Sequence, residues 1–286
     1  MKNILVFGGT TFVSEETAKL LISNKYNVDI LTRGILPLKY SGVSRHIICD
    51  RTNFSQLSSA LKKRKYDIIV DINARNSSDI EFALSALDIL SIEKYVLCST
   101  ASVFQIPPDG KINDERNLKL SSENLYITGK CQAEQRLVDS GIPYVIIRPT
   151  YIYGENNTLR RENMIFNAIK DNIPVFIPKT DYFINPVYSL DVAQSLLFSV
   201  KNETLSNSTF LVGGMDIVSL KQFVEICSKI CRKNVTVINS KKNQDNFTRI
   251  PFLPTTVIVK TSQLLTDNIK FTPILEGLSN VFCHLY

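Results

Sequence analysis

Residues 4–21 read ILVFGGTTFVSEETAKLL, an apolar run that ends at two glycines and continues into an amphipathic segment. The run Ile4 to Phe7 has the length and composition of a buried strand, and apolar residues three and four apart in 12–24 predict a helix. A glycine turn between a strand and a helix N-terminus lets backbone amides approach a phosphate, which the helix dipole also attracts. The stretch therefore predicts a dinucleotide loop, with a plain strand-to-helix turn as the alternative for this stretch alone.

The same alternation of strand and helix continues outward to about residue 150. Further short β-branched runs predict strands at 27–31, 45–49, 67–71, 94–98 and 143–147. The segments between them predict helices at 53–63, 78–91 and 122–139. Strands that alternate with helices form parallel sheets, and the right-handed crossover rule then gives an α/β fold with a Rossmann-type doubly wound sheet.

After residue 150 the alternation weakens. Helices are predicted at 160–171, 189–201 and 218–231, mixed with short strands such as 175–177. We therefore predict a dinucleotide-binding Rossmann domain over 1–150 and a smaller C-terminal α/β substrate lobe over 151–286.

Composition limits the classes of function. The formal net charge is +6, with 33 Lys and Arg scattered among 27 Asp and Glu, and the cluster Lys62 to Lys65 predicts a solvated helix end rather than a nucleic-acid patch. The six cysteines form no CxxC pair and only two histidines are present, so no metal site or Ser-His-Asp triad is expected. No apolar run reaches the ~18 residues of a membrane span, and we expect a soluble, cytoplasmic protein for which nucleic acid is not the partner.

Tyr126 and Lys130 are four residues apart in the predicted helix 122–139, which places them on one face. A free tyrosine titrates near ~10, and an adjacent ammonium favours the ionised form, so the phenol is a candidate acid and base for alcohol oxidation or carbonyl reduction. Alone, the spacing is more typical of an ordinary amphipathic helix with an exposed lysine. The strand at 94–98 leads into hydroxyl side chains at its carboxyl end, where α/β sheets bind ligands.

Together these motifs resemble the extended short-chain dehydrogenases/reductases, the NAD-dependent epimerase/dehydratase family, whose loop reads Gly-Gly-Thr-Gly-Phe-Ile-Gly. Residues 8–14 depart from that loop at Thr11 and Ser14, and conservatively at Val13. Stretches similar to later family motifs follow in order at 95–104, 141–154, 185–193 and 271–278. The resemblance implies a catalytic group of Thr100, Tyr126 and Lys130.

The resemblance also implies a site for NADP or NAD. Its residues are Gly8, Gly9, Thr10, Thr11, Phe12, Val13, Arg33, Asp50, Arg51, Asn73, Ala74 and Pro149. Members that prefer NAD place an acid where Thr32 stands, and Arg33 follows it here. Because a guanidinium can bind a 2′-phosphate, we expect a preference for NADP, with a surface arginine in a turn as the alternative.

The resemblance leaves the reaction open. Members that act on sugar nucleotides carry an asparagine at the position of Tyr151 and an arginine near Ile184, and both are missing here. We expect an NAD(P)-dependent oxidoreductase acting on a ketone or secondary alcohol of a small polar metabolite. The alternatives are an epimerase of a sugar or nucleotide sugar that retains its cofactor, and a non-catalytic cofactor-binding regulator or RNA-binding protein.

Family members commonly pair through two helices, so the resemblance implies a homodimer built from helices 78–91 and 122–139. The apolar residues expected in the seam are Ile80, Phe82, Ala83, Ala86, Leu87, Leu90, Leu125 and Ala133. The alternative is that the first helix uses its apolar residues only against its own sheet. Asp191, before a later helix, is expected to act as a helix cap rather than a catalyst.

Overall fold

The computed structural model describes residues 1–62, 64–112, 123–239 and 247–286. Within them the strands are β1 (Asn3–Phe7), β2 (Asn27–Thr32), β3 (Arg45–Ile48), β4 (Ile68–Asp71), β5 (Lys94–Cys98), β6 (Lys111–Ile112), β7 (Tyr144–Pro149), β8 (Ile152–Tyr153), β9 (Val175–Phe176), β10 (Phe183–Ile184), β11 (Val187–Tyr188), β12 (Ser208–Val212), β13 (Val218–Ser219), β14 (Val237–Ile238), β15 (Thr248–Arg249) and β16 (Ile258–Val259). The α-helices are α1 (Phe12–Ser23), α2 (Phe54–Leu61), α3 (Ser77–Ala86), α4 (Leu125–Val138), α5 (Arg161–Lys170), α6 (Ser189–Lys201), α7 (Leu220–Cys231), α8 (Gln263–Thr266) and α9 (Ile274–Leu285).

The centre of the molecule is a seven-stranded sheet in the order β12-β7-β5-β4-β1-β2-β3, with every pair parallel. The order reverses between β1 and β4, the position at which doubly wound sheets open a crevice for a ligand. The predicted Rossmann-type α/β fold is therefore confirmed.

Both faces of this sheet are covered by helices. Ile4 and Val6 point into a core shared with α1 and α6, whereas Leu5 and Phe7 point into the core beneath α2, α3 and α4. All four side chains are fully buried. Burial on both faces explains why the strands are continuous apolar runs rather than alternating ones.

The helices beside the second core begin at asparagine caps. The side chains of Asn53, Asn76 and Asn124 accept hydrogen bonds from first-turn amides of α2, α3 and α4. The predicted helix 78–91 ends early, because Leu87 takes an extended backbone and a separate 3-10 turn follows at Ile89–Ser91. Residue 63 of the predicted helix 53–63 and residue 122 of 122–139 lie outside the described residues.

The predicted division at residue 150 does not separate the main sheet from the rest. β12 pairs with β7, with Thr209 opposite Ile146, and α6 packs on α1. The remaining C-terminal elements surround a third core that includes Phe166, Phe223 and Leu278. This lobe is thus joined to the Rossmann domain by a shared strand and a shared helix layer.

The short strands form small sheets outside the main one. β10 and β13 pair antiparallel, while β8 with β11, β6 with β16, and β9 with both β14 and β15 pair parallel. No helix in the described part of the chain has the length and apolar character needed to cross a membrane.

The residues expected in a dimer seam are largely used within the chain. Most of them are buried or half-buried against its own core: Ile80, Phe82, Ala83, Ala86, Leu87 and Ala133. Leu90 and Leu125 are exposed, at 95 % and 87 % of their surface. The apolar surface of α3 therefore packs against the protein's own sheet and gives no support to a dimer. The homodimer remains a prediction from the family resemblance alone.

Candidate active site

A cleft of about 600 Å³ opens at the carboxyl ends of the main strands, where the sheet order reverses. Most of the predicted site residues line it: Gly8, Thr10, Thr11, Phe12, Val13, Arg33, Asp50, Arg51, Asn73, Tyr126 and Lys130. Gly9, Ala74, Thr100 and Pro149 were predicted for the site but are not among the lining residues. A volume of this size suits a cofactor or small substrate.

The loop between β1 and α1 has the backbone of a phosphate cradle. Gly8 has a φ of +117°, and a Cβ added there would lie 2.9 Å from the Cβ of Ser14, so the position requires glycine. Ser14 is accommodated because its hydroxyl donates to the Thr11 carbonyl at 2.8 Å. Thr11 makes no side-chain cap to α1, so the amides of the first turn can bind an anion. The residues present therefore fit a dinucleotide pyrophosphate.

Arg51 lines the cleft, but its guanidinium points into the protein. It donates to both carboxylate oxygens of Asp71 at 2.7 and 2.8 Å, and to Asn73 Oδ1 at 2.6 Å. It also lies 4.4 Å from the Phe7 ring centroid. Burial alone would raise the pKa of Asp71, but the Arg51 charge and hydrogen bonds hold that pKa below its usual value. Arg51 thus orients Asn73, while Asn73 itself faces the cleft.

Arg33 stands at the end of β2, on the same wall of the cleft as Asp50. The Thr32 side chain makes hydrogen bonds within the protein. Its hydroxyl lies 2.7 Å from His46 Nε2 and accepts the Gly34 amide at 3.1 Å. Hydrogen bonds from Thr52, and then the Arg33 charge, lower the pKa of Asp50. Among these residues Arg33 is the cation able to meet a 2′-phosphate.

The catalytic candidates come together from β5 and α4. Tyr126 and Lys130 line the cleft from α4, and Thr100 follows β5, where its side chain accepts the Ser102 amide at 3.2 Å. Lys130 Nζ donates to the Cys98 carbonyl at 2.9 Å. The Ser99 hydroxyl, at the end of β5, is buried at the cleft wall and has no partner among the described residues. A buried hydroxyl without a partner is a candidate ligand contact.

The pKa of Tyr126 moves opposite to the sequence-based expectation. The residue exposes 49 % of its surface, yet its hydroxyl end is enclosed, and burial raises its pKa above the usual 10.0. The Thr100 hydroxyl and the charges of Arg161 and Arg75 oppose this rise in pKa without reversing it. Lys130, whose own pKa burial lowers, is turned to the Cys98 carbonyl. The expected lowering by Lys130 is therefore wrong for the protein alone.

Helix α4 is held against the sheet by contacts one turn apart. A Cβ added to Gly129 would lie well inside 3.0 Å of the Arg75 carbonyl oxygen, so only glycine permits this approach. Further along, Glu134 and Arg148 form a buried ion pair, with Arg148 Nη2 donating to Glu134 Oε2 at 2.6 Å. These contacts fix the position of α4 against the sheet, and with it the position at which the Tyr126 side chain enters the cleft.

Sequence reasoning missed the arginines near Tyr126. Arg75 lines the cleft, and Arg161 begins α5 close enough for its charge to act on the phenol. The signal for Arg75 was its place directly after the predicted contacts Asn73 and Ala74. Asp191 was expected to cap a helix, but its carboxylate instead accepts the backbone and side-chain donors of Thr272, both at 2.9 Å.

The fold and the site define an enzyme of the extended short-chain dehydrogenase/reductase type. The chain belongs to the NAD dependent epimerase/dehydratase family, whose model matches residues 4–213. Within the described ranges no group of three or more His, Cys, Asp or Glu side chains could hold a metal ion.

Solved structures share this fold. The UDP-glucuronic acid 4-epimerase from Bacillus cereus, in complex with NAD, has a TM-score of 0.80 and 18 % identity over 99 % of this chain and 98 % of its own. The UDP-glucose 4-epimerase from Thermotoga maritima, with UDP-glucose, has a TM-score of 0.78 and 15 % identity over 99 % of this chain and 98 % of its own.

A sequence relative has a different description. The chloroplast stem-loop binding protein of 41 kDa b from Arabidopsis thaliana is 27 % identical over 242 residues, which are 80 % of this chain and 63 % of that protein. The chain thus spans less than two thirds of that relative's length.

Proposed function

We propose that the protein is an NAD(P)-dependent epimerase that inverts a secondary alcohol of a sugar or sugar-derived substrate. The observation that carries the proposal is that Tyr126 and Lys130 line one cleft with the glycine turn at Gly8, which fits a dinucleotide. The oxidoreductase expected from sequence would use the same residues. Family membership and the UDP-sugar epimerases of like fold favour inversion.

The residues divide the chemistry between them. Gly8, residues 10–13 and Asn73 would hold the cofactor, which when bound supplies the hydride acceptor and donor. Tyr126 Oη takes the proton of the substrate hydroxyl during oxidation, and returns a proton when the resulting ketone is reduced from its other face. Proton and hydride both return to the substrate, so no net oxidation occurs.

The substrate end of the cleft differs from the sugar-nucleotide pattern. Ile184, near the position where sugar-nucleotide members carry an arginine, is fully buried in the third core. Tyr151, in the place of an asparagine, packs edge-on to Phe252 with ring centroids 5.2 Å apart. Because Ile184 has no polar side-chain group and the Tyr151 ring packs on Phe252 where the pattern has an amide, we propose that the sugar rather than a nucleotide is the recognised portion.

NADP is proposed as the preferred cofactor, on the position of Arg33 at the cleft wall. The like-folded epimerases from Bacillus cereus and Thermus thermophilus were solved in complex with NAD, so the preference for NADP is proposed for this chain alone. The cytoplasm remains the proposed compartment, which cell fractionation would test.

The test begins with the nucleotide that the purified protein retains, identified by mass spectrometry after denaturation. The protein is then incubated with UDP-glucose, UDP-glucuronic acid and free sugars, and inversion is followed by proton NMR without added cofactor. Tyr126→Phe should lower the rate by about 10² to 10⁴ while leaving cofactor retained. Tyr144→Phe, a tyrosine at the far end of β7, is the matched control.

Two results would contradict the proposal. One is turnover that consumes added NADPH in proportion to product, from protein that retains no nucleotide, which would establish the oxidoreductase. The other is unchanged inversion in Tyr126→Phe, which would remove the catalytic assignment.

RNA binding is the second candidate, favoured by the stem-loop binding relative. It predicts association with a stem-loop RNA that weakens steeply as salt rises, because Lys and Arg contacts to phosphate release counterions. Fluorescence anisotropy at two salt concentrations distinguishes it from the epimerase, for which we expect no salt-sensitive RNA binding.

A further inference from the structure

The segment 33–44, which connects β2 to β3, reaches from the cleft to the core of the protein. It begins at the cleft wall, where Arg33 and Leu36 are lining residues. Farther along, the half-buried side chains of Leu38 and Tyr40 pack against the core shared with α1 and α6. The packing of these two side chains fixes the later part of the segment.

The same segment is seated on α1. Gly42 approaches this helix closely, because a Cβ added to it would lie 2.6 Å from Ile22 Cγ2. The Tyr40 ring lies near the helix as well, with Lys19 Nζ 5.8 Å from the ring centroid. Lys19 is itself paired with Glu15, Nζ to Oε1 at 2.7 Å. The position of the Tyr40 ring is therefore set by contacts within the protein.

The Tyr40 hydroxyl reaches from this segment to the glycine turn. It donates to the Gly9 carbonyl at 2.6 Å, a contact between residues 31 apart in sequence. Burial, and then the charges of Glu15 and Glu16, raise the pKa of Tyr40, so the phenol keeps this proton at neutral pH. The hydrogen bond ties the turn to the β2–β3 connection.

The direction of the Gly9 carbonyl also fixes the direction of the next amide. The peptide bond is planar and trans, so the carbonyl of Gly9 and the N–H of Thr10 point in opposite directions. Thr10 lines the cleft together with Gly8 and Thr11, whereas Tyr40 is not among the lining residues. A carbonyl held by Tyr40 therefore keeps the Thr10 amide directed away from Tyr40 and available to a ligand of the turn.

We propose that Tyr40 is a positioning residue for the cofactor, whose hydroxyl holds the Gly9 carbonyl so that the Thr10 amide can donate to the pyrophosphate. Two consecutive glycines leave a turn more conformational freedom than other residues would. Fixing such a turn before the ligand arrives raises affinity, because less ordering remains to be done on binding. The inference rests on the proposed function, since it requires that the cleft binds a dinucleotide.

Binding is measured by titration calorimetry on the full chain, after charcoal has removed any retained nucleotide, with NADH, ADP and adenosine as probes. NADH and ADP carry a diphosphate and should each bind Tyr40→Phe about 10-fold or more weakly than wild type, since a lost charge-assisted hydrogen bond has at least that effect. Adenosine carries no phosphate and should not distinguish the two proteins. The phenylalanine ring keeps the packing of Tyr40, so the variant should retain the fold.

Tyr26→Phe is the matched control. Tyr26 is half-buried against the same core but precedes β2, at the opposite end of that strand from the cleft. Its substitution removes a phenolic hydroxyl from the same layer of the protein and should leave the affinities for NADH and ADP unchanged.

Unchanged affinity of Tyr40→Phe for NADH and ADP, in a protein whose wild type binds both, would overturn the positioning role and leave the proposed function standing. An equal fall in affinity for adenosine would overturn it as well, because the substitution would then have displaced the whole connection. A loss confined to the two diphosphates supports the inference even where no sugar is inverted. Failure of the wild type to bind NADH or ADP would refute the proposed function, and the inference with it.

Discussion

Replacing Gly129 with alanine has two opposing effects on stability, a gain in helix propensity and a steric clash. Alanine is the better helix former by about 1 kcal/mol, so propensity alone predicts that Gly129→Ala stabilises α4. The structure predicts the opposite, because the new Cβ would lie well inside 3.0 Å of the Arg75 carbonyl oxygen. To restore ordinary contact, α4 and the loop after β4 must separate by roughly 1 Å.

The backbone carbonyl cannot rotate away as a flexible side chain can, so the strain is shared by two packed elements. Overpacking of this kind costs about 1 to 3 kcal/mol, which offsets and exceeds the gain in propensity. We therefore expect a net loss of about 1 kcal/mol in the free energy of unfolding, seen as a fall of a few degrees in Tm. A shift of roughly 1 Å in a catalytic group costs about 10²-fold in rate, so inversion should fall by that order as Tyr126 moves.

Thermal unfolding by circular dichroism and turnover by NMR test the two expectations separately. Gln132→Ala, on the exposed side of the same helix, is the control and should leave both quantities nearly unchanged. A higher Tm for Gly129→Ala with full activity would refute the packing argument.

Other predictions address the cofactor, the core, the phenol and the assembly. Arg33→Ala should narrow a preference for NADP over NAD by about 10-fold or more in calorimetry, and tighter NAD binding by the wild type would contradict the 2′-phosphate contact. Glu134→Gln removes the carboxylate that neutralises buried Arg148 and should cost about 3 kcal/mol in urea unfolding. Because burial holds the Tyr126 pKa above 10.0, the phenolate that accepts the substrate proton is the minor form at neutral pH, and the rate of inversion should rise as the pH increases from 7 towards about 10; a rate that is constant over this range would show another group at work. Sedimentation should find a dimer, and a mass near 32.3 kDa would refute it.

Periodicity recovered most of the fold because both faces of the main sheet are buried. The strands β1, β4, β5 and β7 are buried runs composed mostly of apolar residues, and such runs stand out between amphipathic helices. The strand β12 was missed because it follows a polar stretch late in the chain, where the alternation had weakened. The strand β12 pairs with β7 because β7 would otherwise be an open edge of the sheet, and a local sequence pattern gives no information on such a long-range pairing.

Features of the site that depend on backbone conformation were predicted from the sequence. Features that depend on the direction in which a side chain points were missed. The turn at Gly8 could be predicted from the sequence, because a backbone φ of +117° requires glycine. Arg51 occupies the expected place, but the fully buried Asp71 needs a counter-charge and draws the guanidinium inward. The burial of the Tyr126 side chain, which raises its pKa, likewise depends on neighbours that are distant from it in the sequence.

The anchoring of α4 has a consequence for specificity. Gly129 fixes the helix against the loop after β4, Lys130 is bound to the end of β5, and Glu134 is paired with β7 through Arg148. These contacts are made by the protein with itself, so the position of the Tyr126 phenol is set before any substrate enters. Substrates must then be distinguished by groups outside α4 that line the same cleft from other elements.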